Sequence, residues 1–597
     1  MTPPESKSIG RRLLIEAVWF FSIVICGVAM WQSVLPVLQS SQNKFPDEQE
    51  IKSFNMPLSY EEHVGETIVM LKLKLGKIRF NNYEFIQDDC LEELRVNDKV
   101  VNSDQIPFCA FDSSITFDLS DYLVSDVNTI FVRLSNAGGP ASLHMIPSRA
   151  DPLFLILFAI AGAILFLFVY RVLSIFERGK RYIYIIGFCI VLAVGIRFLY
   201  ILGTPFDVRS NDVTGHFDYI SFLLQHHRLP AIGEGWQWYQ PPLYYVMLCP
   251  IVSFLKNIGM TEYLIQSYLQ WGSFLISIIT FFVLFLVSKQ LFTRYKERHE
   301  QLLFVVILAV FPGLIYFSAS VNNDVLLLLL EVLSLLFLLN WWQSGARKAW
   351  YIAIICMCLA LLTKSNALLL IPVAFGCLIF AKHISNKEKI YLFFVGLILF
   401  LILTAWLPIY RLISSQNASL VGNIESLNGD LLLQNTVRHL IVFNPLSVIK
   451  YPFADAWSDL LRRQYFWEYL YRSAFFAEFI PPDYLHLLST LIVSVNLFTI
   501  PFLIWGVIYG IWKRIRNAFP MLLLLISLLF GHLAFRIFYP YSSSQNFRYS
   551  ILLLIPVIFF TLVGAQNSHP IIRFIGKTAL WIFALFCLVY LVCLSIN

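Results

Sequence analysis

Asp212 and His216 stand one helical turn apart in the stretch SNDVTGHFDYI, residues 210–220, just beyond an apolar run. A carboxylate and an imidazole are side chains that carry protons in catalysis, and both also hold metal ions. From Val213 to Leu224 the pattern fits a short amphipathic helix, with Phe217, Ile220, Phe222 and Leu224 on its apolar positions. Asp212 then falls at the N-terminus, where the macrodipole stabilises an ionised carboxylate. Capping is the competing role for that aspartate, and from these residues alone it leads. His216 could hydrogen-bond a substrate or ligate a metal, although no histidine or carboxylate follows at ligand spacing. Asp207 and Asp218 read as solvated loop and helix surface.

Other charged residues open or close apolar runs. Asp324 follows Asn322 and Asn323 at the head of one run, as a cap or as the partner of a cation. Lys364 sits with Thr363, Ser365 and Asn366 between two short apolar arms, and either snorkels to the interface or does chemistry there. Arg548, in SQNFRYSILLLIP, can bind lipid headgroups or a substrate anion. Arg472 and Glu478 lie in DLLRRQYFWEYLYRSAFFAEFIPP, whose basic and aromatic residues recur at roughly helical spacing, as in a helix lying along a membrane surface. PPLYYVMLCPIVSFL, about 15 residues with Pro250 inside, is short for a span and reads as a second interfacial helix. Trp236, Trp238, Tyr239, Tyr244 and Tyr245 would anchor it at headgroup level.

The elements that must position these side chains are membrane helices. A chain that is 58% hydrophobic and 14% charged, with mean hydropathy +0.69, is no ordinary soluble protein. Its 53 phenylalanines suit lipid-facing surfaces, and a net charge of +6 gives no sign of a nucleic-acid partner. The partner it does imply is the lipid bilayer. Apolar runs of about 20 residues recur, each able to cross a ~30 Å hydrocarbon core. We count about 13 spans, near 13–37, 152–176, 182–203, 263–288, 302–319, 324–342, 349–363, 366–384, 390–412, 487–511, 519–538, 549–566 and 574–595. With the N-terminus inside, the basic clusters all fall on the cytoplasmic side, among them Arg347 with Lys348 and Lys513 with Arg514 and Arg516. That parity requires residues 349–384 to form a hairpin rather than one interrupted helix. The first run is too long for a signal-peptide core and no A-x-A-like site follows it, so it reads as an anchor.

The organisation is then a transmembrane anchor at 1–37, an extracytoplasmic domain at 38–151, a membrane core at 152–412 with an outer loop at 204–262, a second outer loop at 413–486 and C-terminal spans at 487–597. ETIVMLKLKLG and TIFVRLS alternate apolar and polar residues, so the domain at 38–151 is expected to be a small antiparallel β-sandwich. Its fragments DDCLEELRVNDKVV, FDLSDYLVSDVNTIFVRL and SNAGGP resemble galactose-binding-like modules, against the plainer reading of a packing domain. Cys90 and Cys109 are the two cysteines of this domain, and in an oxidising compartment a disulfide between them is expected.

In sequence order, an outer loop with Asp212, an apolar helix ending at Leu223 and Leu224, and the aromatic-Pro-Pro-Leu-Tyr segment at 239–244 resemble the first outer loop of the GT-C superfamily. These are polytopic glycosyltransferases that use polyprenyl-phosphate sugars, and include aminoarabinose transferases and protein O-mannosyltransferases. FPGLIYFSASVNNDVLLLLL, LLTKSNALLLIPVA and SQNFRYSILLLIP resemble further motifs of that superfamily. The resemblance implies Asp212 as catalytic base, with Asp324 and His216 assisting. It implies a donor-phosphate site, and here Pro241 stands where the aminoarabinose transferases have a lysine, so Arg548 and Lys364 are assigned to that task, with Arg472 in reserve. Trp236, Tyr239, Gln240, Tyr244 and Glu478 would line the substrate site.

The fold class expected is an all-α polytopic membrane protein of GT-C type, with about 13 transmembrane helices and the β-sandwich inserted near its N-terminus. Its expected partners are a polyprenyl-phosphate-linked sugar donor and a lipid, glycan or protein acceptor. The expected setting is a bacterial inner (plasma) membrane, with the site extracytoplasmic and the anomeric centre inverted. No cofactor is required by these residues, and a divalent metal ion is left open. Two competing functions are a transporter or flippase for lipid-linked sugars, which would need a polar site at the midplane, and a non-catalytic glycan-binding assembly protein.

Overall fold

The computed structural model describes the short segments 37–44, 52–54 and 58–60 and most of 65–148. It also describes 152–176, 180–415 apart from 207, 211, 232–233 and 294–296, and 431–596. The first anchor, 13–37, lies almost wholly outside the described residues, and so does Asp207. The chain divides into two compact units, Met1–Gly195 with Ser595–Asn597, and Ile196–Leu594.

The first unit carries two antiparallel sheets. In the larger, the order from one edge is Lys52–Phe54, Val37–Lys44, Gly65–Lys74, Val127–Asn136, Cys90–Val96 and Lys99–Val100, with Phe108–Cys109 also paired to Cys90–Val96. The smaller runs Leu58–Tyr60, Ala141–Pro147, Asn82–Gln87, Ser113–Asp118. The two alternating segments of the sequence pair along their whole length, Ile130 opposite Leu71. Their pattern explains the register: Thr67, Val69, Leu71 and Leu73 are buried together while Lys72 and Lys74 face out, and a slip of one residue would exchange the two sets. Cys90 and Cys109 stand opposite one another across neighbouring strands and are joined by a disulfide.

The second unit is helical. Across the described residues eight helices are long and apolar enough to cross a membrane, and nine if the bent pair Arg298–Val310 and Pro312–Ala319 forms one span. The 53° bend in that pair falls at Pro312, which cannot continue the helical hydrogen-bond ladder. Three further differences separate this number from the spans expected. The first anchor is not described, 152–176 is a 25-residue helix whose apolar stretch can be followed only over Ala159–Arg171, and 349–384 breaks at Lys364 into two arms. Arg347–Thr363 has 17 residues and falls short of the ~20 that a full span needs.

One helix pair explains how distant charges meet. Asp324–Ser344 ends at Gly345, which adopts φ +72° and lets the chain reverse. Arg347–Thr363 then runs back alongside, and Ser334 Oγ donates to the Ala353 carbonyl between the two at 2.9 Å. The start of the first helix therefore faces the end of the second, which sets Asp324 beside Lys364. Arg347 and Lys348 are left at the opposite end, a helix length of about 30 Å away.

Candidate active site at the helix ends

Asp212 precedes the helix Val213–His226, as expected, but it does not cap it. Its backbone is left-handed, φ 61° and ψ 24°, and its side chain makes no capping bond. The cap conformation that aims a carboxylate at the helix N–H groups is extended; the left-handed one turns Asp212 elsewhere. Its Oδ2 accepts from Arg548 Nη2 at 3.3 Å. Arg548 lies in the 3-10 segment Phe547–Leu553 that leads into the helix Leu554–Gln566, and its own N–H is held by Asn546 Oδ1. The same Nη2 reaches the Tyr549 hydroxyl at 3.1 Å.

Asp324 is not the cap of its helix either. Asn322 Oδ1 accepts the Asp324 N–H at 3.1 Å, which frees the carboxylate to take Lys364 Nζ at 2.5 Å. Both side chains are buried, so Lys364 does not snorkel. The Lys364 ammonium also lies 5.0 Å from the centre of the Tyr549 ring, within cation–π range. Asn366 Nδ2 donates to the Tyr549 carbonyl at 2.9 Å and ties the break at Lys364 to the Arg548 segment. Tyr549 thus stands between the two cations, its hydroxyl on one and its ring face on the other.

His216 packs behind these pairs. Its Nδ1 is 2.8 Å from the Tyr245 hydroxyl, and Tyr245 stacks on Tyr219 at 4.0 Å. Burial lowers the His216 pKa to about 4, with Asp212 and Asp324 pulling it up and Lys364 and Arg548 pushing it down. The imidazole is therefore neutral at physiological pH and close to all four charges. Tyr244 and Tyr245 are buried in the core, which corrects the expectation that they anchor the helix Leu243–Asn257 at headgroup level. Trp236 alone of the proposed substrate residues is well exposed, at 55%. Gln240 is buried, and its Oε1 accepts from Asn323 Nδ2 at 3.4 Å. Tyr239 is held through its carbonyl by Arg411 Nη2 at 2.6 Å, and burial raises its phenol pKa, with Tyr549 and Asp212 adding to the effect.

Glu478 accepts from the Tyr469 hydroxyl at 2.6 Å. Burial raises its pKa, and Arg548 is the first influence opposing that rise. Arg472 does not join this group. It is fully buried and donates to the Leu461 carbonyl and to Ser447 Oγ, with Glu468 at 3.5 Å. Its task is to hold the preceding loop, so it is not free for a phosphate.

An open groove of about 480 Å³ adjoins the cations, lined by Ser365, Asn366, Leu369, Gly531, Phe535 and Tyr549 among others. Phe538, at its edge, is 77% exposed. Among the described residues Asp212, His216 and Asp324 do not form a metal-ligand set; the single such group is Cys90, Glu92 and Cys109, whose sulfurs are spent in the disulfide. Sequence reasoning missed Tyr549, Asn323 and Glu331, the last buried two turns into the Asp324 helix. An acid inside an apolar span was the available signal for Glu331. Tyr549 carried none beyond its place next to Arg548.

Residues 265–407 match the family model of dolichyl-phosphate-mannose-protein mannosyltransferases. That segment includes Asp324 and Lys364, so the GT-C glycosyltransferase resemblance of the sequence has support from an independent comparison. No curated protein matches the chain. Among solved structures, the chain is similar to the Archaeoglobus fulgidus oligosaccharyltransferase crystallised with Zn and sulfate, at 14% identity and a TM-score of 0.40. The alignment covers 69% of this chain and 52% of that one, so this chain spans about half the length of that protein.

Proposed function

We propose that this chain, a GT-C glycosyltransferase by the family it resembles, transfers a sugar from a polyprenyl phosphate to an acceptor hydroxyl at the outer face of the membrane. The observation that carries this reading is the meeting of two carboxylates and two cations at helix ends, around Tyr549 and beside a groove with an exposed apolar edge. Basic Arg347 and Lys348 lie at the other end of the helices that bring Asp324 to Lys364. That separation supports an extracytoplasmic site under the positive-inside rule.

In the reaction, the acceptor oxygen forms a bond to the anomeric carbon as the bond from that carbon to the phosphate oxygen breaks. The acceptor proton passes to the Asp212 carboxylate, and the electron pair of the broken bond stays on the departing polyprenyl phosphate. Direct displacement of this kind inverts the anomeric centre. Arg548 would hold the phosphate, since a guanidinium can give it two parallel hydrogen bonds and stabilise the charge that gathers there. The groove beside Tyr549 suits the first isoprene units of the lipid. Asp324 and Lys364, with Tyr239, Gln240 and Glu478, would shape the pocket for sugar and acceptor.

The two ion pairs sit at helix ends rather than at mid-membrane, which favours an enzyme over a transporter. Mass spectrometry of envelope glycans from cells carrying the wild-type or the Asp212→Asn gene tests the reading. A sugar modification present with the first and missing with the second is expected. Identical glycans in the two strains would reject it.

A further inference from the structure

The two ion pairs are not equally able to open. Asp324 and Lys364 lie 2.5 Å apart with side-chain exposures of 3% and 6%, whereas Asp212 and Arg548 lie 3.3 Å apart with 21% and 11%. Parting the first strands two charges in a dry site, which is strongly unfavourable. The second is one longer contact between partly buried side chains and is the easier of the two to part. Arg548 is also incompletely used: its Nη2 is shared between Asp212 and Tyr549, and its buried Nε has no partner among the described residues. Asp212, for its part, is bound to the same cation that a donor phosphate needs. While Oδ2 accepts from Arg548, that oxygen is turned to the guanidinium rather than to an acceptor hydroxyl.

We propose that Arg548 restrains Asp212 until the phosphate of a polyprenyl-phosphate donor takes over the guanidinium, so that donor binds before acceptor and its arrival releases the base. This rests on the assignment of Arg548 to the donor phosphate made above. Lys364 stays on Asp324 throughout and lends its charge to the site without leaving it. After transfer, the departing polyprenyl phosphate carries one more negative charge than the donor did. It therefore retains Arg548 until it leaves; Asp212 gives up its proton to the phosphate or to water, and the departure of the lipid phosphate returns Arg548 to the ionised carboxylate.

Binding of a short-chain polyprenyl phosphate without sugar, measured by calorimetry on the full-length protein in detergent, separates the two ideas. Asp212→Asn removes a competitor for Arg548 and is expected to bind the lipid phosphate about 3- to 10-fold more tightly than wild type, the scale of one weak, partly buried pair. Asp212→Glu keeps the competing charge and is expected to bind as wild type does. Arg548→Ala is expected to lose more than about tenfold. If Asp212→Asn binds no tighter, or Asp212→Glu tightens equally, while Arg548→Ala loses affinity, the restraint is wrong and the donor site stands. Wild-type affinity in Arg548→Ala would overturn both. Melting curves of each variant establish that the proteins compared are folded.

Discussion

Asp212 Oδ2 meets Arg548 Nη2 at 3.3 Å across a sequence separation of 336 residues. The contact replaces the capping bond that the local sequence led one to expect, and the left-handed backbone at Asp212 is what redirects the side chain. An aspartate that capped its helix would cost roughly 1 kcal/mol on removal. Here, Asp212→Asn is expected to melt close to wild type and to lose about 10²- to 10⁴-fold in kcat, the contribution of a positioned general base. Thermal unfolding and glycosyl transfer measured on the same preparation check both halves. A variant with wild-type turnover would remove Asp212 as the base.

Arg548 places a guanidinium within hydrogen-bond distance of Asp212. Arg548→Ala is expected to raise the KM for a polyprenyl-phosphate sugar by about tenfold or more and to lower kcat as well, because charge on the leaving phosphate grows along the reaction. Arg548→Lys keeps the charge without the fork and should fall between. Steady-state kinetics with varied donor test this. An unchanged donor KM in Arg548→Ala would move the phosphate site elsewhere.

Asp324 and Lys364 are a buried pair, and burial makes their loss asymmetric. Removing one partner is expected to cost roughly 3–5 kcal/mol, so Lys364→Met and Asp324→Leu should each melt well below wild type. The double variant Asp324→Leu/Lys364→Met leaves no stranded charge and should recover much of that stability while remaining inactive. Thermal scans of the four proteins form the cycle. Additive losses in the double variant would mean that the pair is not coupled in the folded protein.

His216 contributes a pH dependence with a definite sign. Its folded pKa of about 4 lies below the ordinary 6.5, so below pH 6.5 the unfolded chain takes up a proton that the folded chain refuses. Stability from this group is complete above pH 6.5 and falls as pH drops from 6.5 toward 4, by roughly 3 kcal/mol in all. His216→Gln should flatten the acid side of a melting-temperature profile relative to wild type. Parallel profiles for the two proteins would show that His216 is not buried in its neutral form.

Gly506 and Gly564 let the helices His486–Trp512 and Leu554–Gln566 touch backbone to backbone. A Cβ on Gly506 would collide with the Phe560 carbonyl, and one on Gly564 with that of Phe502. Backbone cannot step aside as a side-chain tip can, and small residues at such crossings are what permit close approach within a membrane. Gly506→Ala is expected to destabilise the protein by roughly 1–3 kcal/mol. Because the second helix continues the Arg548 segment, transfer should fall too. Differential scanning fluorimetry and activity of Gly506→Ala, with Gly272→Ala as a control in open space, check this.

Much of the architecture was legible in order along the chain. Apolar runs marked the helices, alternation marked the strands Gly65–Lys74 and Val127–Asn136, and the positions of Asp212, Asp324, Lys364 and Arg548 at the ends of apolar runs marked where chemistry could sit. These signals are local, because burial writes a period of 3.6 or 2 into neighbouring residues. The errors were of a different kind. Arg472 and Arg548 are both arginines among aromatic residues, yet one is spent on the Leu461 carbonyl and Ser447 while the other faces Asp212. Tyr244 and Tyr245 had the composition of interfacial anchors, yet they pack inside.

The sequence by itself determined a chain of membrane helices with polar residues at their ends, and a strand-rich domain before them. Only the tertiary structure decided which carboxylate takes which cation, and that Tyr549 stands between them. A helix reports through its period which face is buried, but not which helix will cover it. The partner of a charge is set by contacts between segments that here lie 40 and 336 residues apart, and no local pattern encodes those.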